Sequence, residues 1–200
     1  MSLYSCSEVP KISPINRLDS ETKVTADWYA IRVQPKLEKL ASDVLRGKGY
    51  EEFLPLYRSR RAWSDRTKEL DVPLLPGYMF CRFSVQERYL AVLTTPGVRG
   101  IVGAGKTPVP IADHEIDAIR AVVSSGLNAQ PSPYLRAGTR VEITQGPLAG
   151  LEGIITCTGK ACRLVVSVNL LQRSVAVEID RDWASPLSGN DHPQANGGQR

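Results

Sequence analysis

Residues 137–187 consist of short runs of β-branched and aliphatic residues, with no helical periodicity. The runs RVEIT, RLVVSVNLL and SVAVEID are separated by turn residues at intervals of about eight to twelve positions, a spacing typical of small all-β folds. Valine and isoleucine favour strands because their branched side chains pack well on a pleated surface. This part of the chain is therefore predicted to form a small closed barrel, in which closure removes the exposed sheet edges.

Residues 27–125 instead alternate between strand-like and helix-like runs. DWYAIRV predicts a strand, and Pro35 after it suits the first turn of a helix. Gly47 and Gly49 are expected to end that helix. Ser84 and Glu87 form a capping-box pattern for a second helix near 85–93, and Asp113 is a candidate cap for a third. Apolar positions at helical spacing are Leu37, Leu40, Ala41, Val44 and Leu45 in the first helix, and Ile116, Ile119, Val122 and Val123 in the third.

EEFLPLY, VPLLPGYMFCRF and VRGIVG complete this region as further predicted strands. The element order is then β-α-β-β-α-β-α, which fits an antiparallel sheet with helices packed on it, an α+β fold. Ser, Pro and Gly enrichment predicts a linker at 126–136. The expected organisation is a disordered tail over 1–26, a domain over 27–125, the linker, a second domain over 137–187 and a disordered tail over 188–200.

The composition excludes several other classes of protein. The chain has 25 basic and 21 acidic residues, a formal charge of +4, and its longest apolar runs are interrupted by prolines and too short to span a membrane. Without an apolar leader either, it is expected to be cytoplasmic. Cys6, Cys81, Cys157 and Cys162 are expected to be buried or idle thiols rather than zinc ligands, because the two histidines are distant in sequence. No metal or cofactor is predicted.

Glycines in ITQGPLAGLEGIIT raise the alternatives of a phosphate-binding loop and a tight turn. No lysine or hydroxyl follows Gly153 as a P-loop requires, and the segment runs into another strand rather than a helix. Gly146 and Pro147 therefore predict a turn between strands. Gly153 within a strand pattern predicts a bulge or a close backbone approach.

VEITQGPLAGLEGII resembles the KOW motif, whose key positions here are Gly146, Pro147, Gly150 and Gly153, and ACRLVVSVNLLQRSVAVEID is similar to the rest of a KOW domain. Trp28-Tyr29, Leu75-Pro76-Gly77-Tyr78, PGVRGIVG and PVPIADHEIDAI are similar, in that order, to the NusG N-terminal domain. The resemblance covers about residues 27–187. The segment FLPLYRSRRAWSDRTKELDVPLLPGYMF is most similar to specialised UpxY-type paralogues. Those proteins act on particular long operons, such as those for polysaccharide synthesis.

The resemblance implies a transcription elongation or antitermination factor, monomeric, that suppresses pausing or termination. Its N-terminal domain would bind the clamp helices of RNA polymerase through aromatic and apolar anchors. Trp28 and Phe80 could equally be ordinary core, whereas Tyr78 favours an interface. The implied anchors are Trp28, Tyr29, Leu75, Tyr78 and Phe80, and Arg88 and Tyr89 would form a second polymerase contact.

A cluster of basic residues surrounds an aromatic residue between the predicted strands EEFLPLY and VPLLPGYMFCRF. Trp63 is flanked there by Arg58, Arg60, Arg61, Arg66 and Lys68. Such a cluster suits unpaired non-template DNA, although a solvated hairpin tip explains it as well. The KOW domain of relatives binds a small-subunit ribosomal protein or Rho, which here implies Leu170, Leu171 and Arg173. Those two leucines could instead complete the barrel core.

An enzyme is the competing class, but no Ser/His/Asp arrangement or suitable carboxylate pair is present, and His114 beside a helix start favours a solvated or capping role. A ribosome-associated KOW protein that binds RNA is the remaining alternative.

Overall fold

The computed structural model describes residues 26–63, 66–135, 138–158 and 161–187, and for residues 60–63 and 66–68 it describes the backbone alone. The predicted tails lie outside the described residues, apart from Ala26. The helices are α1 (Glu38–Gly47), α2 (Val85–Leu93) and α3 (Asp113–Ser124), with short 3-10 turns at Gly146–Leu148 and Arg181–Trp183. The strands are β1 (Asp27–Val33), β2 (Glu51–Phe53), β3 (Leu56–Trp63), β4 (Arg66–Pro73), β5 (Tyr78–Phe83), β6 (Val98–Ile101), β7 (Gly103–Ala104), β8 (Thr107–Pro108), β9 (Ala129–Pro133), β10 (Thr139–Ile143), β11 (Glu152–Thr158), β12 (Ala161–Val168), β13 (Arg173–Ile179) and β14 (Ala184–Pro186).

The N-terminal unit is built on an antiparallel sheet of order β2-β5-β1-β6. Side chains alternate along its strands, so successive residues of β1 enter two different cores. One side of the sheet, which we call the helical face, packs against α1 and α2. Its fully buried members include Ile31, Met79 and Cys81 from the sheet and Leu45 and Val92 from the helices.

The opposite side, which we call the shared face, carries Trp28, Ala30 and Phe80 and packs with the buried residues of α3. The same continuous cluster includes Leu148 and Val166 of the C-terminal unit. In addition, α3 contacts β12 and the 3-10 turn at Gly146–Leu148. The two units therefore share one apolar core across this face.

The C-terminal unit is an antiparallel six-stranded sheet of order β14-β10-β11-β12-β13-β9. The predicted fold class, an α+β unit followed by an all-β unit, is confirmed. The structure differs from the prediction at 126–136, where a linker was expected. Residues Ala129–Pro133 form β9 and pair with β13, from Ala129 opposite Val177 to Pro133 opposite Arg173. Two prolines disguise this strand in the sequence, since proline is tolerated only at sheet edges.

Two predicted helix caps are wrong, although the predicted helix positions are right. Ser84 precedes α2, but its hydroxyl contacts the Gln86 side-chain oxygen at 3.2 Å instead of capping a backbone N–H. Asp113 is the first residue of α3 and Ala112 occupies the cap position. Leu40 is also 48% exposed, so the apolar stripe of α1 is narrower than its spacing indicates. None of the helices in the described ranges is long and apolar enough to cross a membrane.

The glycine-rich segment forms a turn between β10 and β11, as predicted. Gly146 has φ +77° and lies against the ring of Trp183, where a Cβ would come within 2.8 Å of a ring carbon. Gly153 lies in β11 opposite Val141, and a Cβ there would come within 2.8 Å of Leu164. The interpretation as a close backbone approach is therefore confirmed. Pro147 lies in the 3-10 turn, and Gly150 follows it with φ +85°.

The expectation of idle thiols is wrong for one pair of cysteines. Cys157 of β11 and Cys162 of β12 are directly opposite in the strand register and form a disulfide. Sequence proximity gave no reason to pair them, because the hairpin that brings them together depends on the strand register. Cys81 is a free, fully buried thiol on the helical face.

Candidate functional site

The turn Leu75-Pro76-Gly77-Tyr78 leads into β5 and is fixed by three hydrogen bonds. The Val33 backbone N–H donates to the Gly77 carbonyl at 2.8 Å, and the Tyr78 N–H donates to the Leu75 carbonyl at 3.0 Å. The Gly77 N–H donates to the carboxylate of Glu38, on α1, at 3.1 Å. Glu38 is only 6% exposed, so its carboxylate is committed to this contact. The turn therefore presents Tyr78 from a rigid backbone.

Trp28 and Phe80 are core residues on the shared face, 1% and 0% exposed. The Arg120 guanidinium lies over the Trp28 ring, 4.7 Å from its centroid, and 5.4 Å from the centroid of Phe53. Phe53 stacks against Phe80 with ring centroids 6.0 Å apart. Arg120 is held there by Glu51 at 3.0 Å. Helix α3 thus covers the two rings that the sequence left open between core and interface.

Tyr29 lies on the opposite side of the sheet from the other predicted anchors. Its ring packs on Phe83 with centroids 4.9 Å apart, within the helical face. Burial and the nearby charge of Asp27 both raise the pKa of its hydroxyl. The structure therefore brings Trp28, Leu75, Tyr78 and Phe80 together on one face and separates Tyr29 from them.

A groove of about 430 Å³ separates the two units beside the rigid turn. Leu75 and Tyr78 line one wall, and Pro131, Pro133 and Arg173 line the other. Tyr78 is half-buried there, whereas Leu75 is 2% exposed. A residue predicted to bind polymerase and a residue predicted to bind a partner of the C-terminal unit therefore line the same groove.

Strands β3 and β4 form a separate two-stranded ribbon that carries the predicted nucleic-acid residues. Directly opposite residues of an antiparallel pair share a face. One face holds the opposite-charge pairs Arg58 with Asp71 and Arg60 with Glu69. On the other face Arg61 is opposite Lys68, and Trp63 is opposite Arg66. The register thus separates the predicted set into a charge-paired face and a face with bases around Trp63.

The second predicted polymerase contact lies on α2, away from the groove. Arg88 is exposed and its guanidinium lies 5.3 Å from the centroid of the Tyr50 ring. Tyr89 is half-buried, and the next residue, Leu90, is 72% exposed. Both predicted residues therefore lie on the outer surface of α2, beside one exposed apolar side chain.

The turn between β12 and β13 carries the residues predicted to bind a KOW partner. Leu171 is 9% exposed and belongs to the shared core, Leu170 packs against that core, and Arg173 is exposed. Leu171 is therefore a core residue in this structure, one of the two alternatives left by the sequence.

Sequence reasoning missed the polar contact that joins this turn to α3. The Asn169 side-chain amide donates to Glu115 at 2.6 Å, and the Asn169 backbone N–H donates to the same oxygen at 3.4 Å. The Tyr134 hydroxyl donates to the Asn169 side-chain oxygen at 2.7 Å. Glu115 is 9% exposed. An acidic residue in the first turn of a helix is normally interpreted as a favourable contact with the helix dipole. No sequence signal distinguished that role from a contact with the other unit.

Three surface features of the described residues are suited to contacts with other macromolecules. Within the part of the chain that the structure describes, no three His, Cys, Asp or Glu side chains are grouped to hold a metal ion. These features are an aromatic residue on a rigid turn, a groove between the units beside that turn, and a basic ribbon that forms a separate sheet. These belong to the class of proteins that recognise other macromolecules.

Residues 26–120 match the family model described as "NusG: Transcription termination factor nusG". The chain is 27% identical to the transcription termination/antitermination protein NusG of Deinococcus radiodurans over 78% of this chain and 97% of that protein. It is 28% identical to the protein of the same name from Thermus thermophilus, over 78% and 96% respectively. A solved structure, "Domain interaction in Thermotoga maritima NusG", matches with a TM-score of 0.53 at 20% identity, over 82% of this chain and 98% of that one, and supports the fold.

Residues 26–120 therefore form a NusG-family domain, and over most of its length the chain is similar to NusG proteins. Proteins of this family are transcription factors and not enzymes.

Proposed function

We propose that the protein is a transcription termination/antitermination factor that binds RNA polymerase through the shared face of its N-terminal unit. The observation that carries this proposal is the rigid turn that presents Tyr78 within a matched NusG domain. Tyrosine is a frequent interface anchor because it combines a large apolar ring with a polar tip. Tyr78, with its half-buried ring beside an open groove, is the accessible member of the predicted clamp-binding set.

Polymerase binding at this face also involves the C-terminal unit. Trp28 and Phe80 lie under α3, in the core shared with that unit, so a polymerase helix reaches them only if these elements move. Tyr78 needs no such movement. The proposal is therefore that Tyr78 makes the first contact and that Trp28 and Phe80 contribute after α3 moves away from the sheet.

The decisive experiment compares Tyr78→Ala with Leu40→Ala in binding to core RNA polymerase. Leu40 is an exposed apolar residue on α1, on the helical-face side of the sheet, and provides a control of similar size. Loss of an anchor is expected to weaken binding about tenfold or more, whereas Leu40→Ala leaves it unchanged. Equal binding by Tyr78→Ala and the unaltered protein would contradict the proposed site. Co-purification with ribosomal subunits and without polymerase would favour the alternative of a ribosome-associated RNA-binding protein.

We further propose that the β3–β4 ribbon contacts unpaired DNA through the face carrying Arg61, Trp63, Arg66 and Lys68. The opposite face pairs each of its bases with an acid in the register, which leaves less positive charge for phosphate groups. Base stacking on an aromatic ring and neutralisation of phosphates are the usual means of binding single strands.

The ribbon supplies its own control, because equal numbers of charges can be removed from either face. Arg61→Ala with Lys68→Ala is expected to weaken binding of single-stranded DNA and to reduce its salt dependence by about two phosphate contacts. Arg58→Ala with Arg60→Ala should have a clearly smaller effect. Titrations at two salt concentrations measure both quantities. The proposal fails if the two double variants behave alike.

The finer assignments rest on family resemblance and are proposed together. Arg88 and Tyr89 on α2 would contact the second large subunit of polymerase, and the exposed Leu90 beside them adds apolar area. Leu170 and Arg173 would bind a small-subunit ribosomal protein or Rho, with Leu171 joining them once the units separate.

A specialised role on particular operons is tested by transcript profiles of a deletion strain, where an effect confined to a few long operons is expected.

A further inference from the structure

The two cysteines of the cross-strand pair Cys157 and Cys162 differ from each other in solvent accessibility. Cys157 is exposed, whereas Cys162 is 2% exposed and belongs to the shared core. Their Cα atoms are 4.2 Å apart, which is the close spacing of a non-hydrogen-bonded antiparallel pair. One sulfur-bearing residue is therefore open to solvent while its partner is shielded.

The pair lies near the tip of the β11–β12 hairpin. Only one further register pair, Thr158 with Ala161, lies between the disulfide and the tip. Further along the same strands, Gly153 approaches Leu164 closely, and β12 contacts α3. The bond therefore closes a short loop on the strand pair that joins the C-terminal unit to the N-terminal unit.

We propose that Cys157 and Cys162 form a reversible thiol–disulfide couple that exchanges with low-molecular-weight thiols and sets the stability of the β11–β12 hairpin. This inference does not depend on the proposed function. Attack occurs at the exposed Cys157, because a thiol in solution cannot reach the buried Cys162 in the folded chain.

The exchange balances without any further reactant. A thiolate attacks Sγ of Cys157, the Cys157–Cys162 bond breaks, and Sγ of Cys162 leaves as a thiolate that takes up a proton. A second thiol then attacks the mixed disulfide, which frees the Cys157 thiol and releases the small disulfide. Two small thiols are oxidised and the protein pair is reduced by two electrons. The reverse reaction consumes a small disulfide and restores the protein bond.

Cysteine counting in glutathione buffers tests the couple on the full chain carrying Cys6→Ser. Samples are equilibrated from the reduced and from the oxidised side, quenched with acid, unfolded and alkylated. Cys81 contributes one label in every sample, so the oxidised chain carries one label and the reduced chain three. A common transition from one label to three, reached from both directions, is expected. One label in every buffer, or three in every buffer, would overturn the proposal.

Single variants then test which sulfur is attacked. Cys162→Ser is expected to acquire one glutathione on Cys157 in oxidised glutathione, while Cys157→Ser leaves the folded chain unmodified at Cys162. Faster modification of Cys162 than of Cys157 would contradict the assignment of the attacked atom.

Hydrogen exchange tests the structural consequence. Reduction should speed amide exchange in β11 and β12 about tenfold or more, because the closed loop no longer restricts opening of the hairpin. The exchange rates of the amides in β1 and β5 should not change. The double variant Cys157→Ser with Cys162→Ser should exchange at the reduced rate in every buffer. Equal exchange in the oxidised and reduced chains would refute the role of the bond in the hairpin.

Discussion

The two faces of the N-terminal sheet are closed in different ways. The helical face is completed by α1 and α2, which lie within the matched NusG domain. The shared face is completed by α3 and by residues from beyond the matched range, including Leu148 and Val166. The same strands thus carry one face that is closed by its own domain and one that depends on another part of the chain.

This difference bears on the proposed polymerase contacts of Trp28 and Phe80. Trp28 and Phe80 have the burial of core residues and lie under α3, in a cluster that continues into the C-terminal unit. Tyr29, one residue from Trp28, is covered by elements that have no reason to separate. Under the proposed function, the shared face is a binding surface that α3 keeps out of water, whereas no contact is proposed for the helical-face side of the sheet.

The largest effects should come from truncating one buried residue on each face. Ile119→Ala on α3 and Leu45→Ala on α1 each remove a fully buried aliphatic side chain and should lower the free energy of unfolding by about 2–5 kcal/mol. Only Ile119→Ala should also speed amide exchange in β12, because α3 contacts that strand. Denaturant titration and hydrogen exchange measure the two effects. An equal increase in the amide exchange rate of β12 in the Leu45→Ala variant would show that the two faces are not independent.

An intermediate effect is expected at high pH from Cys81 on the helical face. Burial raises the pKa of this thiol from 9.0 to about 12, with smaller contributions from Glu52 and Glu51. A raised folded pKa stabilises the fold fully below pH 9, and this stabilisation is lost as the pH rises from 9 towards 12. The slope is about 1.4 kcal/mol per pH unit.

Unfolding at pH 8 and pH 10 measures this contribution when the protein is compared with its Cys81→Ala variant. Other groups titrate in both proteins and cancel in the difference. An equal pH dependence in the two proteins would indicate that water reaches Cys81 and that the helical face is open.

The smallest effect should come from the polar contact between the units. Asn169→Ala removes the amide that donates to the buried Glu115 and should lower the free energy of unfolding by about 1 kcal/mol, because the carboxylate keeps only the longer bond from the backbone N–H of residue 169. The double variant Asn169→Ala with Glu115→Ala should lower the free energy of unfolding by less than the sum of the two single variants. Additive changes in a double-mutant cycle would mean that the contact does not join the units.

Much of this fold could be predicted from the sequence because local signals agreed with the tertiary structure. The glycines at the end of α1, the helix at 85–93 and the turn at Gly146-Pro147 all lie where the pattern places them. Strand β9 was missed since AQPSP has the composition of a linker, and only its pairing with β13 makes it a strand. Local composition cannot report a partner strand some forty residues away.

The candidate site was harder to predict for a related reason. Trp28 and Tyr29 are adjacent in a recognisable motif, but the alternation of a strand sends them to opposite faces. The Cys157–Cys162 bond depends on register, and the contact from Glu115 to Asn169 depends on how two units pack. The separation of Trp28 and Tyr29 follows from the predicted strand, whereas the other two relations leave no signal in the spacing of residues along the chain.

Strand β9 has a consequence for self-association of the chain. It lies at one edge of the C-terminal sheet, where an open strand invites pairing with another molecule. Pro131 and Pro133 carry no N–H, so this edge offers an incomplete ladder to any incoming strand. The segment that connects the two units thereby also protects the sheet against intermolecular β-pairing and aggregation.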